Sequence, residues 1–495
     1  MKLVLLFILL AVVIVTVMGV YHSKKSLPPG LDFRGEEKPV PADSVRFLAD
    51  VTASGGDEGA WIHQEIFEEV FEMMDRADQF IVADFFLINE FAGEAPEVGD
   101  GPTLSESFIE SLIRARHRVP GMPIILITDP LNELYGGVDQ PLFDRLTEVG
   151  VEVVFTDLRK LHDSNLVFSP IWRAFFQWWG SPRGDLFANP IGDGRIGLSA
   201  MLEMLNFKAN HRKVLITGRG EDGLQGLVTS ANPHSASALH GNVALRFSGP
   251  LAVDLLESER AVYQMSTGRD FPIEIERSLA AFSSATPAQP GGLVGRVLTE
   301  RSIKRELLER IRSLAEGDRV DLALFYFSDM DLRYELADAV SRGATIRLLM
   351  DPNKDGFGRK KNGIPNRQVG FWLSERGVDV RWYRTSGEQF HSKMAHFHFG
   401  TGEDCLILGS ANWTRRNLNN LNLETVISIS GPSAFPVFGE AEDYFSWVWG
   451  DAVDGGYKGA PEGLITSVPF EEFRDSSTMR RILYWLMEKT GASTF

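Results

Sequence analysis

The chain has 495 residues, 44% of them apolar and 24% charged, enough for two domains that each bury a core. Its formal charge of −17 argues against broad nonspecific binding to DNA or to anionic bilayers, which need a positive field, while leaving room for a local basic patch. A single cysteine, Cys405, rules out an internal disulfide and a cysteine-rich zinc site.

From the N-terminus, Leu3 to Val20 is an uncharged apolar run long enough to cross a thin hydrocarbon core as a helix. Residues 1–25 therefore read as a membrane anchor or a signal segment. The length of the run and the poor small-residue pattern around Val17 and Gly19 favour an uncleaved anchor. No cysteine follows to carry a lipid. Lys2 on one side and Lys24 with Lys25 on the other leave the orientation nearly balanced.

Beyond residue 40, short β-branched or aromatic runs alternate with helical stretches, twice and in the same order. QFIVADFFLI, a helix around Ile109 to His117, PIILITDP, VEVVFTD, NHRKVLITG, GLVTSAN and NVALRFSGP come first. RVDLALFYF, the helical LRYELADAVSRG, TIRLLMDP, VDVRWYR, HSKMAHFHFG, CLILGSAN and ETVISISGP repeat them. The register holds: His211 and His391 are 180 apart, as are Asn232 and Asn412, and Asp-Pro corners recur at Asp129 and Asp351. This is an internal duplication in an α/β architecture with sheets covered on both faces. It predicts a first domain over 40–282, a linker over 283–292 (SSATPAQPGG) and a second domain over 293–495.

The first copy is longer. Pro130 precedes His211 by 81 positions, whereas Pro352 precedes His391 by 39. The surplus, about 160–206, holds SPIWRAFFQWWG, whose aromatics either pack into the core as a helical hairpin or sit at a membrane interface. Core packing is the expectation. The stretch from Asp351 carries Lys354, Arg359, Lys360, Lys361 and Arg367 after a strand end, where they could receive a phosphate or an anionic headgroup or else form a solvated turn. The amphipathic TMRRILYWLMEK near the C-terminus is expected to pack on the second domain.

Each copy places His-x-Lys on a strand, with Ser-Ala-Asn beginning 17 residues after the Lys. Alternation puts the His and Lys side chains on one face, and a returning strand brings the Asn beside them. Two copies would supply His211, Lys213 and Asn232 with His391, Lys393 and Asn412 around one cavity. That set suits a phosphodiester. The lysines and amides would hold nonbridging oxygens, one histidine would attack phosphorus, and the other would protonate the leaving alcohol. No metal or other cofactor is required.

The two motifs, HRKVLITG with TSAN and HSKMAHFHFG with GSANWTRRNLNNLNLE, resemble the phospholipase D superfamily with its paired HKD motifs. The resemblance implies two tandem homologous domains, each a mixed β-sheet flanked by helices, with the active site at their interface. It also implies a metal-independent phosphodiesterase or phosphatidyltransferase, of a superfamily that includes phospholipases, cardiolipin synthases and some nucleases. Two departures stand out. Gly218 and His398 occupy the two Asp positions, a loss read as tolerated. Aligned Ser-Gly-Pro exits set Glu424 opposite Asn242, and the family places a carboxylate here against the histidine of the other half. His211, served by Glu424, is then the nucleophile and His391 the general acid.

The expected protein is thus a bilobal phospholipid enzyme, a monomer with pseudo-two-fold symmetry, using water or an alcohol as acceptor. Ser230, Ser410, Lys354 and Arg359 are the expected substrate-binding residues. A single anchor would hold it at a bacterial-type inner membrane, with the catalytic domains on the periplasmic side. A nuclease and an inactive lipid-binding scaffold are the alternatives, and nucleic acid is disfavoured as a partner by the charge.

Overall fold

The computed structural model describes all residues except 55–59, 91–101, 191, 193, 221–222, 283–291, 357–358, 455, 492 and 494–495, and only the backbone at 236, 355, 356 and 359. The expected linker lies outside the described residues but for Gly292.

The chain begins with α1 (Lys2–Lys24) and β1 (Lys38–Val40), then β2 (Arg46–Ser54), β3 (Ala60–His63), α2 (Ile66–Arg76) and β4 (Phe80–Phe85). Next come α3 (Leu104–Arg118), β5 (Ile124–Thr128), α4 (Pro141–Glu148), β6 (Glu152–Phe155) and α5 (Phe168–Phe175). A small hairpin, β7 (Phe187–Ala188) with β8 (Arg195–Ile196), precedes α6 (Leu198–Met204), β9 (Lys213–Arg219), β10 (Gly223–Thr229) and β11 (Asn242–Ser248). Two helices, α7 (Pro250–Thr267) and α8 (Ile273–Phe282), close the first half. The second half opens with β12 (Leu293–Thr299), α9 (Arg301–Ser313), β13 (Arg319–Leu324), α10 (Met330–Ser341), β14 (Thr345–Met350) and the hairpin β15 (Asp355–Gly356) with β16 (Arg359–Lys360). It continues with α11 (Asn366–Ser374), β17 (Asp379–Tyr383), β18 (Lys393–His398), β19 (Glu403–Gly409), α12 (Arg415–Leu418), β20 (Thr425–Pro432), α13 (Pro436–Trp449), β21 (Ser467–Pro469) and α14 (Thr478–Thr490).

The first sheet runs β3-β2-β11-β10-β9-β4-β5-β6 and the second β1-β12-β20-β19-β18-β13-β14-β17-β21. Both are mixed: β4, β5 and β6 are parallel, as are β13, β14 and β17, while β9 and β18 run antiparallel to β4 and β13. The expected α/β fold of two tandem copies is the fold found. Every residue of β4 is buried because both faces of its sheet are covered. Ile66, Phe67, Val70, Met73 and Met74 recur at helical spacing and bury one stripe of α2 on the outer face. The inner faces of the two sheets share one core with α7 and α13.

Four differences from the sequence reading emerge. The opening strands of each half, β2 and β12, were not anticipated. Residues 38–40, at the expected edge of the first domain, pair with β12 and so join the second sheet. The aromatic insertion does not pack into the core. Trp172 is buried, but Phe175, Phe176, Trp178 and Trp179 are exposed. Nor does α14 bury its apolar face on the second half: Tyr484 packs there, while Met479, Ile482, Leu483, Trp485 and Leu486 face outward.

Candidate active site

Each His-x-Lys stands at the head of a central strand, with Lys213 opposite Phe85 and Lys393 opposite Leu324. The Asp-Pro corners fix the residue before each histidine. Buried Asp129 accepts the Asn210 backbone N–H at 2.6 Å, and buried Asp351 accepts that of Phe390 at 2.9 Å. The halves then join by reciprocal backbone pairs. His211 N–H donates to the Leu423 carbonyl at 2.9 Å and Leu423 N–H to that of Ala209 at 3.0 Å. His391 N–H donates to Gly241 at 2.8 Å and Gly241 N–H to Gln389 at 3.0 Å. Each histidine is therefore locked beside the residue that follows its partner: Glu424 in one case, Asn242 in the other.

The side chains follow. His211 Nδ1 lies 2.8 Å from Oε1 of Glu424, close though not aligned as a regular hydrogen bond. His391 Nδ1 lies 3.1 Å from Oδ1 of Asn242. Ser410 and Asn417 donate to the Glu424 carboxylate, and Ser230 donates to Asn242 Oδ1 at 2.9 Å. Asn242 Nδ2 donates to the His240 carbonyl at 3.0 Å, which fixes the amide with its oxygen toward His391. Ser230 and Ser410, expected to touch substrate, are fully buried and instead orient the groups behind the histidines.

Lys213 and Lys393 each donate to the carbonyl of their own histidine, at 2.8 and 2.5 Å. Phe86 lies 5.0 Å from the His211 ring and 5.3 Å from Lys213 Nζ, while Phe325 repeats this at 4.7 Å from His391 and 5.0 Å from Lys393. Both phenylalanines sit on turns held by buried asparagines, since Asn132 Nδ2 donates to Phe86 O at 2.9 Å and Asn366 Nδ2 to Phe325 O at 2.6 Å. His211, His391, Asn232 and Asn412 all line one cavity of about 380 Å³. Asn412 Oδ1 has no hydrogen-bond partner among the described residues.

The cavity is short of negative charge. Burial brings His211 down to about 4, partly offset by Glu424, and brings Lys213 down to about 7. Burial and then Lys393 hold His391 well below its ordinary value, and burial and then Lys213 do the same to Lys393. An entering anion would restore charge to all four.

The basic stretch after Asp351 reaches the cavity through one residue. Lys354 donates to the Thr385 carbonyl at 3.1 Å and does not line the cavity, and the side chain of Arg359 lies outside the described residues. Lys361 of the same stretch does line it, its ammonium 2.8 Å from the Tyr326 hydroxyl. His240 and Arg416 also line it. Neither was assigned from sequence, although Arg416 and Asn417 lie within the second motif itself.

At the two Asp positions the packing accounts for the replacements. A Cβ on Gly218 would come 2.5 Å from Cε1 of Phe80, so the ring fills that place. His398 is held by three carboxylates, Nδ1 3.0 Å from Asp404 and Nε2 3.2 and 3.1 Å from Asp321 and Glu442. Burial lowers its proton affinity, but these hydrogen bonds outweigh burial and raise it to about 10. The ligand atoms of His396, His398 and Glu442 lie within 4.8 Å of one another, yet each residue is already engaged with a neighbouring group.

Residues 307–449 match the family model described as cardiolipin synthase, PLD-like domain. The second half of the chain thus contains a phospholipase D-like domain. Likeness of fold extends well beyond that match. Phosphatidylserine synthase of Haemophilus influenzae Rd KW20 superposes on 94% of this chain and 94% of its own, with a TM-score of 0.55 and 10% identity. Polyphosphate kinase of Porphyromonas gingivalis covers 91% of this chain with 53% of its own, at TM-score 0.46 and 14% identity. The phospholipase D family member Nuc of Salmonella typhimurium covers 33% with 98% of its own, at TM-score 0.26 and 16% identity. A search of the curated proteins finds no match.

Proposed function

We propose that the chain is a membrane-associated phosphodiesterase or phosphatidyltransferase that acts on phospholipids through a covalent phosphohistidine. One arrangement carries the reading: the histidine and asparagine of both motifs face a single cavity with a lysine buried beside each histidine, one imidazole backed by a carboxylate and the other by an amide. With its Nδ1 proton directed to Glu424, His211 presents the Nε2 lone pair to phosphorus. As the P–N bond forms and the P–O bond to the leaving alcohol breaks, Nε2 of His391 gives that oxygen a proton. Lys213, Lys393 and the amides of Asn232 and Asn412 stabilise charge on the nonbridging oxygens. Water or a second alcohol then attacks phosphorus, gives its proton to His391, and the electron pair returns to His211.

The phosphate supplies the condition for this cycle. Both imidazoles are neutral in the empty site, and an anion between the lysines favours protonation of His391 and of the ammonium groups. A lipid fits the walls, because Phe86, Leu87, Leu131, Met204, Phe207 and Phe325 give the cavity an apolar lining beside its cations. Among the described residues α1 alone is long and apolar enough to cross a membrane.

The test is turnover of mixed bacterial phospholipids in liposomes containing a primary alcohol. Phosphatidic acid or phosphatidyl-alcohol that forms with the native chain and is absent with His211→Ala and His391→Ala is the expected result. No turnover of any lipid rejects the reading.

A further inference from the structure

We propose that α5, the tryptophan-bearing turn after it and α14 form one bilayer-docking face continuous with α1, and that lipid enters the cavity across this face. The proposal rests on the phospholipid reading for its second clause only.

α1 is partly covered along a single stripe, at Ala11, Ile14, Val15, Met18, Gly19, His22 and Ser23, and exposed elsewhere. Its covering is α5, with Pro170 against Gly19 so closely that an added Cβ would meet the proline ring at 3.1 Å. Gly19 lies about 8 Å along the helix from Lys24, at the 1.5 Å rise of an α-helix. A bilayer around α1 therefore includes α5 within its boundary layer. The junction is firmly built: Asp163 N–H donates to His22 O at 3.1 Å, and Lys25 Nζ donates to Arg159 O at 2.8 Å. Buried Asp163 also pairs with Arg173 at 2.9 Å and Lys208 at 2.6 Å.

What this element shows to the outside is apolar and aromatic. Val167 is 58% exposed, Trp178 68% and Trp179 67%. α14 adjoins it, because Leu166 N–H donates to Thr490 O at 3.0 Å. α14 exposes Ile482, Leu483, Trp485 and Leu486, with Arg480, Arg481 and Lys489 on the same short helix. Exposed apolar surface in two neighbouring elements, carrying three tryptophans and rimmed by cations, has the composition of a membrane interface rather than of a solvated face. Continuity with α1 identifies the occupant as lipid. The net charge of −17 makes apolar insertion, not charge attraction, the main term.

The same elements hold the cavity wall. Lys208, which pairs with Asp163 at the root of α5, lines the cavity. So does Arg416, which donates to the carbonyls of Gly491 and Ser493 just beyond α14. A lipid leaving the bilayer at this face meets the cavity without crossing bulk water.

The experiment uses the full chain in phosphatidylcholine vesicles. Cys405 is buried, so an environment-sensitive fluorophore reports an introduced cysteine in each of Leu10→Cys, Trp178→Cys, Trp485→Cys and Glu316→Cys. Glu316 lies in the exposed turn before β13, at the end of that sheet away from the cavity. Spin-labelled lipid is expected to quench positions 10, 178 and 485, the last two most strongly from shallow depth, and to leave 316 bright. Quenching at 10 with 178 and 485 as bright as 316 overturns the docking face while the anchor stands. No quenching at 10 overturns the anchor and the proposal together. For the entry route, Trp485→Asp with Leu483→Asp is expected to lower turnover of vesicle lipid at least fivefold while sparing a monomeric short-chain phospholipid. Equal losses on both substrates overturn the route, and an inactive native chain would mark failure of the phospholipid reading without touching the quenching result.

Discussion

Asn242 stands behind His391 as Glu424 stands behind His211, each contributed by the opposite half and each set by the same backbone pairing across the interface. The duplication is thus nearly symmetric in position and asymmetric in charge. A carboxylate behind an imidazole stabilises the cation that forms when Nε2 is phosphorylated, and a neutral amide does so far less.

The phosphoenzyme should therefore form on His211. Trapping with a labelled phospholipid at low pH and peptide mapping is expected to place the label there. Glu424→Gln should cut turnover about 10²-fold or more, and Glu424→Gln with Asn242→Asp should move the label to His391. Label on His391 in the native chain would reverse the assignment.

The pH profile follows from burial. His211 loses its proton above about 4, and Lys213 loses its proton near 7 in the empty site. Since kcat/KM reports the free enzyme, it should rise through about pH 4 and fall at or below about pH 7, as His391, which must carry a proton as the acid, and then Lys213 lose theirs. Bound phosphate raises the lysines, so the alkaline limb of kcat should lie higher than that of kcat/KM. Coincident limbs, or a flat kcat/KM from pH 5 to 9, would contradict the assigned proton states.

Much of this geometry was legible in the sequence because strand alternation and duplication are short-range patterns. The His-Lys-Asn sets and the offset between Glu424 and Asn242 follow from register alone, and the structure brings both histidines and both asparagines of the sets to one cavity with the other residues buried behind them. What escaped depended on which way a side chain turns. Ser230 and Ser410 precede the Asn by two, and nothing in their spacing says that they bond Asn242 and Glu424. Lys354 and Lys361 lie on one irregular basic loop, where periodicity gives no facing. The amphipathic pattern of α14 marks an apolar face but not whether protein or lipid covers it.

Restoring the motif letters should harm the protein. An aspartate at 398 would add a fourth carboxylate to Asp321, Asp404 and Glu442, against only the two cations Arg319 and Arg347, and loss of a buried ion-pair partner costs about 3–5 kcal/mol. His398→Asp should thus lower Tm and leave turnover per folded molecule no higher. Because folding raises the proton affinity of His398 from 6.5 to about 10, its contribution is complete below about pH 6.5 and is lost as pH climbs to about 10. The difference in Tm between the native chain and His398→Gln should shrink over that interval. A difference that is constant with pH would show that His398 is not charged. Gly218→Asp, pressed against Phe80, should cost at least the roughly 1–3 kcal/mol of an overpacked core.

The remaining prediction concerns the middle residue of the first motif. Arg212 is wholly buried and donates to Glu259 at 3.0 Å and to Glu300 of the other half at 2.7 Å. Glu300 Oε1 also accepts the Glu424 backbone N–H at 3.2 Å, so the guanidinium supports the strand start that carries the carboxylate behind His211. Removing it leaves two carboxylates facing each other in a dry core, a loss of about 3–5 kcal/mol. Arg212→Met should accordingly lower Tm and destabilise the pairing between halves. Arg212→Met with Glu259→Gln and Glu300→Gln should recover much of the stability, because the two carboxylates that the guanidinium pairs with are then neutral amides. Full stability in Arg212→Met alone would mean that the two glutamates take up protons without cost, which differential proton uptake on unfolding would reveal.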